Sequence, residues 1–65
     1  MKNRIRVLRA ERRLTQKELG AAAGVSREAI LAIENEKHDP SLPLAGRIAK
    51  ALGVPLDQVF DLDDV

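Results

Sequence analysis

A chain of 65 residues has room for one small hydrophobic core, so we expect a single domain over residues 1–65 and no separate ligand-binding domain. Apolar residues make up 45% and charged residues 32%, with Phe60 the one aromatic residue, which excludes a disordered or membrane-spanning chain and favours helices over sheet. The net charge is only +1, but residues 1–17 carry seven basic side chains and one acidic, whereas residues 57–65 carry four acidic and none basic.

The first two helices are predicted from apolar spacing and from a capping signal between them. Residues 3–12 should form the first helix, and the side chains expected to face inward are those of Ile5, Leu8, Arg9 and Leu14. Thr15 stands where a second helix needs an N-cap, and Glu18 three residues later completes a capping box. This second helix should extend to about Ala22.

Glycine and serine mark the start of the third helix. Gly24 permits a tight turn, and Ser26 is placed to cap a helix that ends near Asn35. Residues 36–40 show no periodicity and end in a proline, which is typical of a loop.

The last third of the chain predicts one longer helix and a short one. The longer helix should begin after Ser41 and end at Gly53, and residues 55–60 should form one or two further turns. The tail, residues 61–65, either frays or forms a short strand that pairs with residues 1–4. Its alternating pattern slightly favours the strand.

Residues 16–35 have the pattern of a helix, a tight turn and a second helix. Two helices that cross closely need small residues at the contact, which Gly20 and Ala23 supply, and Gly24 frees the turn. The apolar residues that anchor the second helix are Val25, Ile30 and Ile33. The residues that then point outward are Ser26, Arg27, Glu28, Leu31, Ala32 and Asn35. Such an outward face is suited to the major groove of DNA.

Nearly the whole chain resembles the Cro/phage-repressor type of helix-turn-helix transcriptional regulators, also called the xenobiotic-response-element family. The matching segments are Leu14–Leu19, Gly24–Arg27, Ile30, Ala32–Asn35, Lys37, Pro40–Leu42, Ile48–Val54 and Val59–Phe60. The resemblance implies an all-α, lambda-repressor-like DNA-binding domain, which is a compact bundle of about five short helices. It also implies sequence-specific binding to double-stranded DNA and regulation of transcription, with repression as the default.

The same resemblance implies roles for individual residues. The expected DNA-binding residues are Gln16, Lys17, Ser26, Arg27, Glu28, Leu31, Asn35 and Lys37. In such repressors a glutamine in the position of Gln16 binds a DNA phosphate, the first residues of the third helix read base edges, and residues just after that helix bind the backbone again. Arg9 and Glu34 should form a partly buried, structural ion pair.

Several positions depart from the family pattern and leave alternatives open. Arg27 could bond a guanine, which favours a half-site containing G·C pairs, and Leu31 or Ala32 could touch a thymine methyl. Leu31 could instead be buried against a partner. Glu28 could accept from a cytosine, or it could only stabilise the helix N-terminus and pair with Arg27. Glu36 and Arg13 stand where the family usually has glycine, so either a left-handed turn is strained there or the loops differ.

Two other classes of function compete with DNA binding. An enzyme is disfavoured because the chain lacks a nucleophile–base set, a phosphate-binding glycine loop and cysteine, and His38 is its only histidine. We therefore expect no metal and no cofactor. A protein-binding module, such as an antitoxin or adaptor, is the stronger alternative. The basic N-terminal half with Gln16, Arg27 and Lys37 favours DNA, and a neighbouring toxin gene would indicate an antitoxin.

One recognition helix covers only a few base pairs, so we expect a homodimer on a palindromic operator. The predicted dimer interface is formed by Leu56, Val59, Phe60 and Leu62. An inducing signal would come from a partner protein or from the concentration of the chain. The N-terminus does not resemble a signal peptide, which predicts a cytoplasmic protein that does not enter the membrane.

Overall fold

The computed structural model describes residues 1–63, and this part of the chain forms five short helices. In chain order they are α1 (Ile5–Glu11), α2 (Gln16–Ala23), α3 (Arg27–Glu34), α4 (Leu42–Leu52) and α5 (Leu56–Val59). The predicted all-α bundle is confirmed. No helix among the described residues combines the length and the apolar character that crossing a lipid bilayer requires.

Side-chain caps fix the starts of α2, α3 and α4 where the sequence predicted them. The Thr15 hydroxyl accepts from the Glu18 N–H at 3.0 Å, and the Glu18 carboxylate accepts from the Thr15 N–H at 2.9 Å. The hydroxyls of Ser26 and Ser41 accept from the backbone N–H three residues further on, at 3.1 and 3.3 Å. Each cap satisfies a donor that the first turn of a helix leaves unpaired.

Left-handed backbone ends two helices and recurs in two loops. Gly24 and Gly53 close α2 and α4 with φ of 77° and 74°, as expected for glycine after a helix. Arg13 and Glu36 also have positive φ, 54° and 60°, although both carry a Cβ atom. The strained left-handed turn is therefore the alternative that holds at both positions.

One hydrophobic core holds the helices together, and residues from all five contribute to it. Its buried members are Ile5, Leu8, Leu19, Ala23, Ile30, Ile33, Ala45, Ile48, Ala49, Leu52, Val59 and Phe60. Phe60 is only 2% exposed. At ~25 cal/mol per Å² of apolar surface buried, its ring is among the larger single contributions to the stability of a core this small.

The N-terminus departs from the prediction because of one asparagine. We expected the first helix to include Asn3, but α1 begins at Ile5. The Asn3 Oδ1 accepts from the Ile5 N–H at 3.1 Å, and its Nδ2 donates to the Ile33 carbonyl at 2.9 Å. Asn3 thus ties the start of α1 to the end of α3.

The favoured strand pair at the termini is reduced to a single bridge. Asn3 pairs with Phe60 in an isolated antiparallel bridge, flanked by hydrogen bonds from the Arg4 N–H to the Val59 carbonyl (2.8 Å) and from the Asp61 N–H to the Lys2 carbonyl (2.9 Å). The pairing is centred on residue 60 rather than on the tail that was predicted to form it. Residues 64 and 65 of that tail lie outside the described part of the chain.

Candidate nucleic-acid interface

The contact between α2 and α3 depends on the absence of a side chain at Gly20. A Cβ atom there would lie 2.8 Å from the Val25 carbonyl oxygen and 3.1 Å from that of Ser26, both backbone atoms. The Val25 N–H also donates to the Gly20 carbonyl at 2.9 Å. The turn therefore packs directly against α2, and this contact sets the direction of α3 relative to α2.

With α3 oriented in this way, one of its faces is buried and the other is exposed. Ile30 and Ile33 are 0% and 1% exposed, which confirms them as anchors. The first residues of the helix, Arg27 and Glu28, are exposed, as is the cap Ser26, whereas Leu31 and Ala32 are half-buried. Eight helical residues span roughly 12 Å, about the width of the DNA major groove.

Arg27 and Glu28 lie close enough to interact with each other. Their nearest charged atoms, Arg27 Nη2 and Glu28 Oε1, are 4.0 Å apart, and 53% and 74% of the two side chains remain exposed. A pair this open is worth little to stability, so either group is free to turn toward a ligand. Glu28 also lies in the first turn of α3, where the helix dipole favours a negative charge.

A buried carboxylate stands at the C-terminal end of α3. The Glu34 side chain is 1% exposed, and Arg9 Nε lies 2.7 Å from its Oε1. Arg9 also donates from Nη2 to Glu34 Oε2 at 3.5 Å and from Nη1 to the Leu14 carbonyl at 2.9 Å. The expected Arg9–Glu34 ion pair is present, and it joins α1 to α3.

The same carboxylate also holds Gln16 at the first position of α2. Gln16 Nε2 donates to Glu34 Oε2 at 3.1 Å, and the glutamine is half-buried. An amide group has a second N–H and a carbonyl oxygen, which remain for a ligand. Glu34 thus orients the residue that the family resemblance assigns to a DNA phosphate.

Residues at the end of α3 complete this surface. Asn35, the C-cap of α3, is exposed and accepts from Arg6 Nη2 at 3.2 Å. Lys37 is exposed and its backbone N–H donates to the Ala32 carbonyl at 2.9 Å, which keeps it close to the helix end. Lys17, next to Gln16, is exposed as well. The predicted DNA-binding residues therefore lie at the start of α2, along the exposed face of α3 and just after it.

Sequence reasoning missed Arg6 as a member of this surface. Its Nε lies 3.8 Å from Glu34 Oε2 in addition to the bond to Asn35. The signal was its position three residues before Arg9, because residues at this spacing share a face of a helix.

The predicted dimer interface must be narrowed. Val59 and Phe60 are 1% and 2% exposed and belong to the core, so their side chains are not offered at the surface of the chain. Their place in the predicted interface rests on the acidic C-terminal part, which should stay clear of DNA, and that charge pattern does not report burial. Leu56 is half-buried and Leu62 is 48% exposed, and these two remain as predicted interface residues.

Within residues 1–63, His, Cys, Asp and Glu side chains form no group of three that could hold a metal ion. Every buried side-chain nitrogen or oxygen among these residues has a hydrogen-bond partner. Within the Glu34 network the carboxylate accepts from both Arg9 and Gln16.

Known proteins resemble this chain in both sequence and fold. The profile of the Helix-turn-helix family matches residues 5–59. An HTH-type transcriptional regulator of Methanocaldococcus jannaschii is 48% identical over 64 residues, covering 98% of this chain and 97% of that protein. The immunity repressor protein of Bacillus phage phi105 is 38% identical over 56 residues, covering 86% of this chain and 39% of the repressor.

A solved structure with a similar fold is that of the restriction-modification controller protein C.AhdI from Aeromonas hydrophila. It superposes with a TM-score of 0.83 at 28% sequence identity, and the match covers 88% of this chain and 86% of that one. The similarity therefore includes the whole arrangement of helices and is not limited to α2 and α3.

Proposed function

The chain belongs to the Helix-turn-helix family of transcriptional regulators, and we propose that it is a repressor that binds a palindromic operator as a homodimer. The observation that supports the proposal best is the exposed start of α3 at Arg27 and Glu28, together with the polar group at the end of that helix. There Gln16 is bonded to Glu34, and Asn35 is bonded to Arg6. The groups that would read bases thus lie at the start of α3, and several that would bind phosphate lie near its end. DNA as the partner also implies action in the cytoplasm.

We propose distinct roles for the groups on this surface. Arg27 has the paired donors that guanine O6 and N7 accept, and Leu31 would contact a thymine methyl group. Gln16, Lys17, Asn35 and Lys37 would bind phosphate oxygens and fix the register of α3 in the groove.

The longest extent of the folded chain supports the binding of two copies to one operator. Residues 1–63 extend 27 Å in their longest direction, whereas successive major grooves on one face of DNA are about 34 Å apart. One copy therefore reaches a single half-site. Leu56 and Leu62 are the residues we propose for the contact between two copies, and the relative named as an immunity repressor favours repression as the outcome.

Selection of binding sites from random double-stranded DNA tests the proposal directly. The expected result is a palindromic consensus whose half-sites contain G·C pairs and lie one helical turn apart. A consensus without symmetry would contradict the homodimer, and recovery of no sequence above the unselected pool would contradict sequence-specific binding.

Two substitutions separate base reading from phosphate binding on the selected operator. Arg27→Ala should weaken binding by about 1–3 kcal/mol and relax the preference at one base pair. Lys37→Ala should weaken binding to all sequences alike and reduce the slope of log K against log salt by about 1. If Arg27→Ala weakens binding equally to every sequence, it does not read a base.

A further inference from the structure

We infer that Arg6 is a further phosphate-binding residue, and that it forms with Gln16 a two-sided phosphate clamp organised by the buried Glu34 carboxylate. The inference rests on the proposed DNA-binding function and deepens it, because Arg6 lies on α1, outside the helix-turn-helix unit. The contacts, the charge balance and the exposure of these side chains carry it.

Arg6 and Gln16 approach the same oxygen atom from two different helices. Gln16 Nε2 lies 3.1 Å from Glu34 Oε2, and Arg6 Nε lies 3.8 Å from that same Oε2. The Arg6 guanidinium is also held by Asn35, through the 3.2 Å bond from its Nη2 to Asn35 Oδ1. Two anchors on α3 thus keep the flexible arginine beside the glutamine, which reduces the entropy that phosphate binding would otherwise cost.

The charges around Glu34 leave one positive charge in excess. Arg9 lies directly against the carboxylate, and all three of its guanidinium nitrogens donate within the protein. Arg9 therefore already neutralises Glu34. The charge of Arg6 is then surplus to the pair, and an arginine with a fixed planar fork suits two oxygens of one phosphate.

Exposure separates the two arginines in the same way. The Arg6 side chain is 69% exposed, whereas that of Arg9 is 17% exposed. Arg12, the C-cap of α1, instead bonds the Leu8 carbonyl and the Glu11 carboxylate of that helix. Arg6 is thus the α1 arginine that is both accessible to a ligand and linked to the α3 end of the interface.

The test compares Arg6→Gln with Lys50→Gln in the full chain, on the selected operator and on a duplex of unrelated sequence. Both variants lose one positive charge from an exposed position, but Lys50 lies on α4 beside Ala22, at the opposite end of α2 from Gln16. Affinity is measured between about 0.05 and 0.2 M salt.

Arg6→Gln should weaken binding to both duplexes roughly fivefold at 0.15 M salt and reduce the salt slope by about 1, as loss of one phosphate contact requires. Lys50→Gln should leave the slope unchanged. Arg6→Lys keeps the charge and should restore the slope. The melting temperature of Arg6→Gln should stay within about 4 °C of the parent, because the residue is exposed.

An unchanged slope in Arg6→Gln, or an equal loss in Lys50→Gln, would overturn the assignment of Arg6. Those results leave operator binding by the parent chain intact, so they differ from failure of the proposed function, in which the parent chain itself selects no sequence.

Discussion

Arg13 and Glu36 hold a left-handed backbone without being glycine, with φ of 54° and 60°. In this region the Cβ atom approaches the neighbouring carbonyl, at a cost of about 1–2 kcal/mol per residue. Glu36 follows the α3 C-cap, and its N–H donates to the Ile33 carbonyl at 3.0 Å, which holds the turn in this conformation. The packing of α3 therefore imposes the strain on the residue.

Replacing Glu36 by glycine should stabilise the fold by about 0.5–1 kcal/mol. The relief of left-handed strain exceeds the entropy that glycine loses on folding, and the exposed Glu36 side chain contributes no described hydrogen bond. Urea unfolding measures the change. As a control, Lys50→Gly at an exposed site within α4 should destabilise by about 1 kcal/mol. Destabilisation by both substitutions would show that the turn at residue 36 is not strained.

Individual site residues could be predicted only where the signal was local or carried by the family resemblance. The Arg9–Glu34 pair was expected from the resemblance and is present. The spacing of Arg6 and Arg9 indicated that they share a face of α1, but it could not identify the partners of Arg6, Glu34 and Asn35, which lie 28 and 29 residues away. The specific roles toward DNA remain predictions.

Helices were the most predictable part of the molecule because their ends are specified by adjacent residues. The caps Thr15, Ser26 and Ser41 and the terminating Gly24 and Gly53 all act where they were expected. The start of α1 was predicted two residues too early, because Asn3 caps the Ile5 N–H from outside the helix while its amide is held by the Ile33 carbonyl of α3. A capping signal lies within five residues of the sequence, whereas the contact between Asn3 and α3 forms only in the folded chain.

The crossing of α2 and α3 is expected to tolerate no side chain at residue 20. Gly20→Ala should destabilise by about 1–3 kcal/mol, because its Cβ would meet backbone atoms that no rotamer change can move away. Gly46→Ala is the matched control. It adds a methyl group within α4 where no atom lies within 4 Å, so it should stabilise by about 0.5–1 kcal/mol. Equal effects of the two substitutions would contradict close packing at the crossing.

The capping box of α2 should make stability depend on pH in the acid range. The hydrogen bond from the Thr15 backbone N–H lowers the pKa of Glu18 below its ordinary 4.5. Because the pKa is lower in the folded chain, the stabilisation is complete above pH 4.5 and is lost as the pH falls through the folded pKa. Glu18→Gln should therefore flatten the plot of unfolding free energy against pH below about 4.5.

Thr15→Ala provides the comparison, since it removes the hydroxyl acceptor but leaves the backbone donor. It should cost about 1 kcal/mol at neutral pH. An acid slope that is as steep in Glu18→Gln as in the parent chain would show that this carboxylate does not contribute to the pH dependence.

At the scale of the whole molecule, the sequence could not decide between core and interface for its C-terminal apolar residues. Phe60 is the chain's one aromatic residue, and its side chain could have belonged to the core or to an interface. The bridge between Asn3 and Phe60 brings residue 60 back beside the residues that precede α1, and the Phe60 ring is buried in the core. The proposed contact between two copies accordingly depends on Leu56 and Leu62 and leaves the core of each copy complete.

Two copies joined in this way should read their half-sites at one fixed spacing. A single copy is shorter than the ~34 Å between successive major grooves on one face, so both must lie on that face to bind together. Inserting five base pairs at the operator centre turns one half-site to the opposite face. The two-copy complex should then be lost, and affinity should fall by at least about a hundredfold, to that of one half-site. Gel mobility and sedimentation measure the affinity and the number of chains bound.

Changing the central bases without changing their number should preserve binding, because it leaves both half-sites in register. If the insertion costs no affinity, each half-site is read by an independent copy.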